Sequence, residues 1–214
     1  MDLYARSLAD LLATVGALSD DDLPAPSGCA GWSVRDLVCH LVIDAQDVLI
    51  TLVTPTAEAA THDSVTYWKV SDAPAADDPL SALTVRLAAA YGEPWMLRFH
   101  LDDVGQAALR AGRLADRATR VSTQDMVLTA GDYLDAYVWE WTLHHLDLVR
   151  HLPHHPGPSA AAVARCRAVL EQVAGSFPAA WPDEDVLLVG TGRRDPTAAQ
   201  RAELGSRKLP VVLG

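Results

Sequence analysis

The chain has 214 residues, is half hydrophobic and carries a formal net charge of −11 with histidine neutral. That length supports one sizeable core with at most a small appended lobe. Lysine and arginine form no stripe, which speaks against a nucleic-acid partner, and the interrupted apolar run Leu37–Val42 is too short to span a bilayer. The start Met1-Asp2-Leu3-Tyr4 lacks the basic and then hydrophobic pattern of a signal peptide. Three scattered cysteines, Cys29, Cys39 and Cys166, fit a reducing cytoplasm better than a disulfide framework.

Tyr4, Leu8, Leu11, Leu12, Val15 and Leu18 recur at helical spacing and predict a helix over 3–18. A loop rich in Asp, Pro and Gly follows over 19–31. Ser33 with Asp36 makes a capping-box pattern and opens a second helix, which Pro55 ends. Residues 54–78 read as a long irregular segment, the kind that often carries function. Pro79 suits the first turn of a third helix, with Leu80, Leu83, Leu87 and Tyr91 as its expected buried stripe. Gly92-Glu93-Pro94 interrupts the pattern, 95–114 resumes as helix, and the Thr- and Val-rich stretch 118–128 reads as extended.

Thr129 and Asp132 repeat the capping arrangement and open a helix over roughly 130–151. The Pro-rich run 153–158 is a hard stop, so the expected division is 1–152 for a helical bundle and 153–214 for a small C-terminal lobe. In that lobe, 159–174 reads as a helix, Pro196–Leu204 as a short helix, and Val186–Val189 and Pro210–Leu213 as short strands. The expected fold class is mainly α, a four-helix bundle with a small α/β lobe.

The helix from Thr129 carries Glu140, His144, Asp147 and His151 on one face, at the rhythm that apolar residues keep in a buried seam. Tyr133 and Tyr137 continue that face, and the six side chains fall within roughly 80° of arc. Ionisable groups in a seam are costly unless they are paired or bind a metal. Glu140 and His144, four residues apart, can reach one point. His40, at the edge of the second helix's apolar face beside Asp44 and Asp47, is the best third ligand. Two histidines and a glutamate leave an open position on zinc, although nickel, iron or manganese accept similar ligands. Asp147 and Asp44 are placed to orient ligand imidazoles. The bland alternative is an exposed helix with a weak Glu–His ion pair. His145 reads as a packed or surface histidine, His154 and His155 as solvated, and Trp139 or Trp141 as able to line a cavity mouth.

The segment Gly-Cys-Ala-Gly-Trp-Ser-Val-Arg-Asp-Leu-Val-Cys-His-Leu, 28–41, resembles the first motif of the mycothiol-dependent maleylpyruvate isomerases, within the larger DinB-like group. Glu-Trp-Thr-Leu-His-His-Leu-Asp-Leu, 140–148, is similar to that family's second motif. The resemblance implies a DinB-like four-helix bundle whose divalent metal, usually zinc, is held by His40, Glu140 and His144. It also implies mycothiol as the thiol cosubstrate, a small electrophilic substrate, and isomerase or S-transferase chemistry. The run 188–197 resembles the tails of short members, and the catalytic arginine of the isomerases' C-terminal lobe maps onto Arg193 or Arg194. On that reading Tyr137, Asp147 and His151, with Tyr133, hydrogen-bond the substrate or move a proton. The alternatives are a metal- and ligand-binding protein without turnover and a helical scaffold. A monomer or a homodimer is expected.

Overall fold

The structure, a computed structural model, describes residues 2–71, 78–205 and 209–213. Its frame is built of helices α1 (Leu3–Ala17), α2 (Val34–Leu52), α3 (Pro79–Ala90), α4 (Pro94–Leu114) and α5 (Ala130–Val149). Helices α1, α2, α4 and α5 pack as the four-helix bundle, and α3 lies against α2.

The helix starts are those the capping patterns specify. Asp2 accepts a hydrogen bond from the Ala5 amide at 2.8 Å and begins α1. Ser33 and Asp36 form the reciprocal box that begins α2: the Ser33 amide donates to Asp36 Oδ2 at 2.8 Å and the Asp36 amide to Ser33 Oγ at 3.3 Å. Thr129 accepts from the Asp132 amide at 3.0 Å and begins α5. These bonds satisfy amides that have no partner within the helix.

Residues 118–128 are extended as expected, but as a hairpin of β2 (Arg120–Thr123) and β3 (Met126–Thr129). Its turn residues Gln124 and Asp125 both have positive φ, 48° and 63°, the conformation of a tight two-residue connection. The segment after α2 is clamped along this hairpin: the Thr56 amide donates to Arg120 O at 2.9 Å and the Thr61 amide to Val127 O at 2.7 Å. That clamp delivers Tyr67 and Trp68 to the side of α5. Of the long irregular segment, 72–77 lie outside the described residues.

Beyond Pro153 the chain forms α6 (Ala160–Ala174), α7 (Asp183–Gly190) and α8 (Ala198–Leu204). Strand β4 (Val212–Leu213) pairs antiparallel with β1 (Val70–Ser71). One hydrophobic core runs from the bundle into α6 and α7, joining Leu134 and Trp141 to Cys166, Leu170 and Leu187.

Two expectations are corrected. Val186–Val189 is not a strand but the body of α7, because Asp183, Glu184 and Asp185 load its first turn with negative charge and favour a helix start. A four-residue apolar run cannot distinguish the two states by itself. The stripe expected to bury α3 is also wrong. Leu80, Leu83 and Leu87 are 74%, 41% and 41% exposed, and Thr84 and Ala88 are buried instead. Small residues bring α3 close to α2, and the leucines face two surface cavities.

Candidate metal centre

Helices α2 and α5 each present two ionisable side chains one turn apart to a common point. From α5, His144 Nε2 lies 2.9 Å from Glu140 Oε1. From α2, His40 Nε2 lies 3.3 Å from Asp44 Oδ2. Across the helices, His40 Nε2 is 3.2 Å from His144 Nε2 and 3.4 Å from Glu140 Oε1. The four donor atoms all lie within 4.8 Å of one another. Ligand atoms sharing a tetrahedral ion at about 2.1 Å stand about 3.4 Å apart, so the group is already at coordination spacing.

The protons also fit a cation. His144 Nδ1 lies 3.1 Å from Asp147 Oδ2, and a carboxylate only accepts, so the ring carries its proton on Nδ1. With Nδ1 committed to Asp147, Nε2 is the nitrogen that faces Glu140 and His40. Asp44 is 7% exposed, and its Oδ2 has no hydrogen-bond partner. Two carboxylates converging in a buried site are stabilised by added positive charge, whether it comes as imidazole protons or as a cation.

The titration behaviour says the same. Burial opposes charging His144, yet the Glu140 carboxylate and the Asp147 acceptor hold its pKa well above the usual value. Burial would raise Glu140, but both imidazoles keep it well below the carboxylate range. Burial raises Asp44 to about 7, against the pull of His40. The site therefore gathers protons, and a divalent ion supplies the same charge at the same place.

Asp147 is the support behind His144. It is 1% exposed and accepts from Arg193 Nε and Nη2, both at 2.8 Å. Burial would raise its pKa, but His144 and Arg193 hold it well below the ordinary range. Arg193 follows Gly192, whose φ of 76° turns the chain after α7 back toward α5. The Gly28 amide donates to Asp147 O at 2.8 Å, and a Cβ on Gly28 would meet the Asp147 Cα at 2.8 Å. Only glycine fits at such an approach.

A cavity of about 490 Å³ opens on the donor group and is lined by His40, Asp44, Asp47, Tyr67, Trp68, Leu80, Leu83, Tyr137 and Glu140, among others. Tyr137 packs its ring 4.8 Å from Tyr133 and 5.3 Å from Trp141. Trp32, within the first motif, packs its ring tilted against His40 at 5.2 Å and donates to Ser81 Oγ at 2.8 Å.

The structure thus brings together His40, Glu140, His144, Asp147, Arg193 and Tyr137. It does not bring in His151, which is exposed two residues beyond α5, where the helix has ended and its face no longer points at α2. Arg194 turns away and pairs with Asp185 at 3.0 Å. Tyr133 is fully buried beneath the cavity wall, and Trp139 and Trp141 are core residues rather than mouth residues. His145 is buried, with Nε2 3.0 Å from Pro156 O and 2.9 Å from Thr14 Oγ1. His154 is exposed as expected, whereas the His155 side chain is only 8% exposed and sits 3.3 Å from Asp22.

Two members escaped the sequence reading. The sequence alone places Asp44 behind the candidate ligands, not among them, although it stands four residues from His40, the same spacing that singles out Glu140 and His144. Cys29 has its Sγ 3.4 Å from Asp147 Oδ2 and 3.7 Å from His144 Nδ1. Burial pushes its thiol pKa up. No periodicity could have found it, because it reaches the site from a loop far away in sequence.

No curated protein and no solved structure matches the chain. The family model of the mycothiol maleylpyruvate isomerase N-terminal domain matches residues 4–149, a span that contains all four donors and ends with α5. The chain belongs to the mycothiol maleylpyruvate isomerase N-terminal domain family, a mycothiol-related group of DinB-like metal-binding helical bundles.

Proposed function

We propose that this protein is a metal-dependent thiol enzyme that joins a small thiol, mycothiol by family kinship, to a small electrophile, either transiently as an isomerase or lastingly as an S-transferase. The observation that carries this reading is the set of four donor atoms at coordination spacing, with one buried carboxylate oxygen unpaired, at the end of a cavity of ligand size.

His40, Glu140 and His144 are the ligands and leave one tetrahedral position open, and Asp44 beside His40 adds negative charge next to it. Two imidazoles with carboxylates suit zinc best among common ions, and iron, manganese and nickel accept them too. A bound divalent ion lowers the pKa of a thiol at its open position and so supplies thiolate at neutral pH. Asp147 fixes the His144 tautomer, and Arg193 holds Asp147, so both are positioning residues. Tyr137, whose hydroxyl is kept protonated by burial, is the proton donor nearest to hand for an adduct in the cavity. The family's name refers to maleylpyruvate; that substrate is not carried over to this chain.

The test is metal analysis of the purified protein together with a thiol-consumption assay. The expected result is about one divalent ion per chain, loss of that ion in His40→Ala, and metal-dependent disappearance of mycothiol with an electrophile such as a chlorodinitrobenzene. Retention of metal by His40→Ala removes the ligand assignment. Metal without thiol consumption leaves a binding protein.

A further inference from the structure

The cavity wall has a definite electrostatic character. Its described lining contains three carboxylates, Asp44, Asp47 and Glu140, and neither lysine nor arginine. A divalent ion at the donor group balances Glu140 and Asp44 and leaves the Asp47 carboxylate over. Asp47 is half-exposed, and no hydrogen bond engages it among the described residues. Arg193, the guanidinium adjoining the metal group, has two of its nitrogens bound to Asp147 and does not line the cavity.

The apolar part of the wall is aromatic. Tyr67 and Trp68 meet edge to face at 4.7 Å, and Trp68 stands 6.1 Å from Tyr137. The Trp68 indole is fixed by its Nε1 donating to Ala136 O at 3.2 Å. Aromatic rings beside a carboxylate without a cationic partner are a common recognition chemistry for ammonium groups, whereas a substrate carboxylate next to Asp47 would meet like charge.

We propose that the substrate received by this cavity carries a cationic group, an amine or quaternary ammonium, seated between Asp47 and the Trp68 and Tyr67 rings, and that dicarboxylates are rejected. The proposal rests on the metal-centre reading for the direction in which the substrate lies. It concerns binding, so it fails or stands separately from turnover.

The experiment uses the metal-loaded full chain without thiol. Benzyltrimethylammonium and maleate are titrated in parallel, with tryptophan fluorescence and calorimetry as readouts, on wild type, Asp47→Asn and Trp68→Leu. The expected result is that the ammonium probe binds at least about tenfold tighter than maleate and weakens about tenfold in each variant, while metal content stays at the wild-type level. Maleate binding as tightly as the ammonium probe overturns the proposal. So does an ammonium affinity indifferent to Asp47→Asn, or no binding of either probe.

Discussion

At the scale of single residues, the centre depends on how firmly His144 is aimed. Its Nδ1 proton is given to Asp147, and Asp147 is gripped by two nitrogens of one guanidinium. Lysine at 193 keeps the charge but loses the fork. Arg193→Lys is therefore expected to leave the fold intact and weaken metal affinity about tenfold, measured by competition with a chromogenic chelator. Arg194→Lys, whose parent side chain pairs with Asp185, is the control and should leave the affinity unchanged. Gly28→Ala should be harsher, because the added methyl meets the backbone Cα of Asp147 as well as its carboxylate. It should lower both metal occupancy and thermal stability, and a variant with wild-type melting and metal content would show that Asp147 can shift without consequence.

At the scale of elements, local chemistry decides where the donors stand along their helices. His40 is in the second turn of α2, and the Ser33–Asp36 box fixes where that helix begins. Ser33→Ala should cost about 1 kcal/mol in denaturant unfolding. The β2–β3 turn offers the opposite sign. Asp125 holds a φ of 63° that glycine adopts without strain, so Asp125→Gly should gain roughly 0.5 kcal/mol. An unchanged or lowered midpoint in urea would show that the Asp125 side chain contributes more than its backbone costs. Helix α3 shows the limit of periodicity: its leucines repeat as a buried stripe should, yet they line cavities. A helix can carry apolar residues to make a binding wall as readily as to make a core, and the pattern looks the same.

At the scale of the molecule, His145 ties three parts of the chain together. It reaches from α5 to Thr14 on α1 and to the Pro156 carbonyl before α6. Burial lowers its pKa to about 4 from the usual 6.5. Between those values the unfolded chain binds the proton and the folded chain does not. The contribution to stability is therefore complete above about pH 6.5 and is lost as the pH falls toward 4, up to about 3 kcal/mol. Urea unfolding at pH 7 and pH 4.5 should show this loss, and His145→Gln should flatten it. A pH dependence identical in the two proteins would move the effect to other groups. No described helix is long and apolar enough to cross a membrane.

The sequence by itself determined the helices and their starts, through apolar spacing and caps that act over three or four residues. It also carried the family motifs and singled out the proposed ligand trio, because Glu140 and His144 share one helix turn and His40 stands at the edge of an apolar face. The tertiary structure alone decided that Asp44 joins the donors, that Arg193 and Cys29 converge on Asp147, that His151 falls outside, and that α7 is helical. Those outcomes depend on which distant surfaces meet, and a chain read locally carries no distance between its loops.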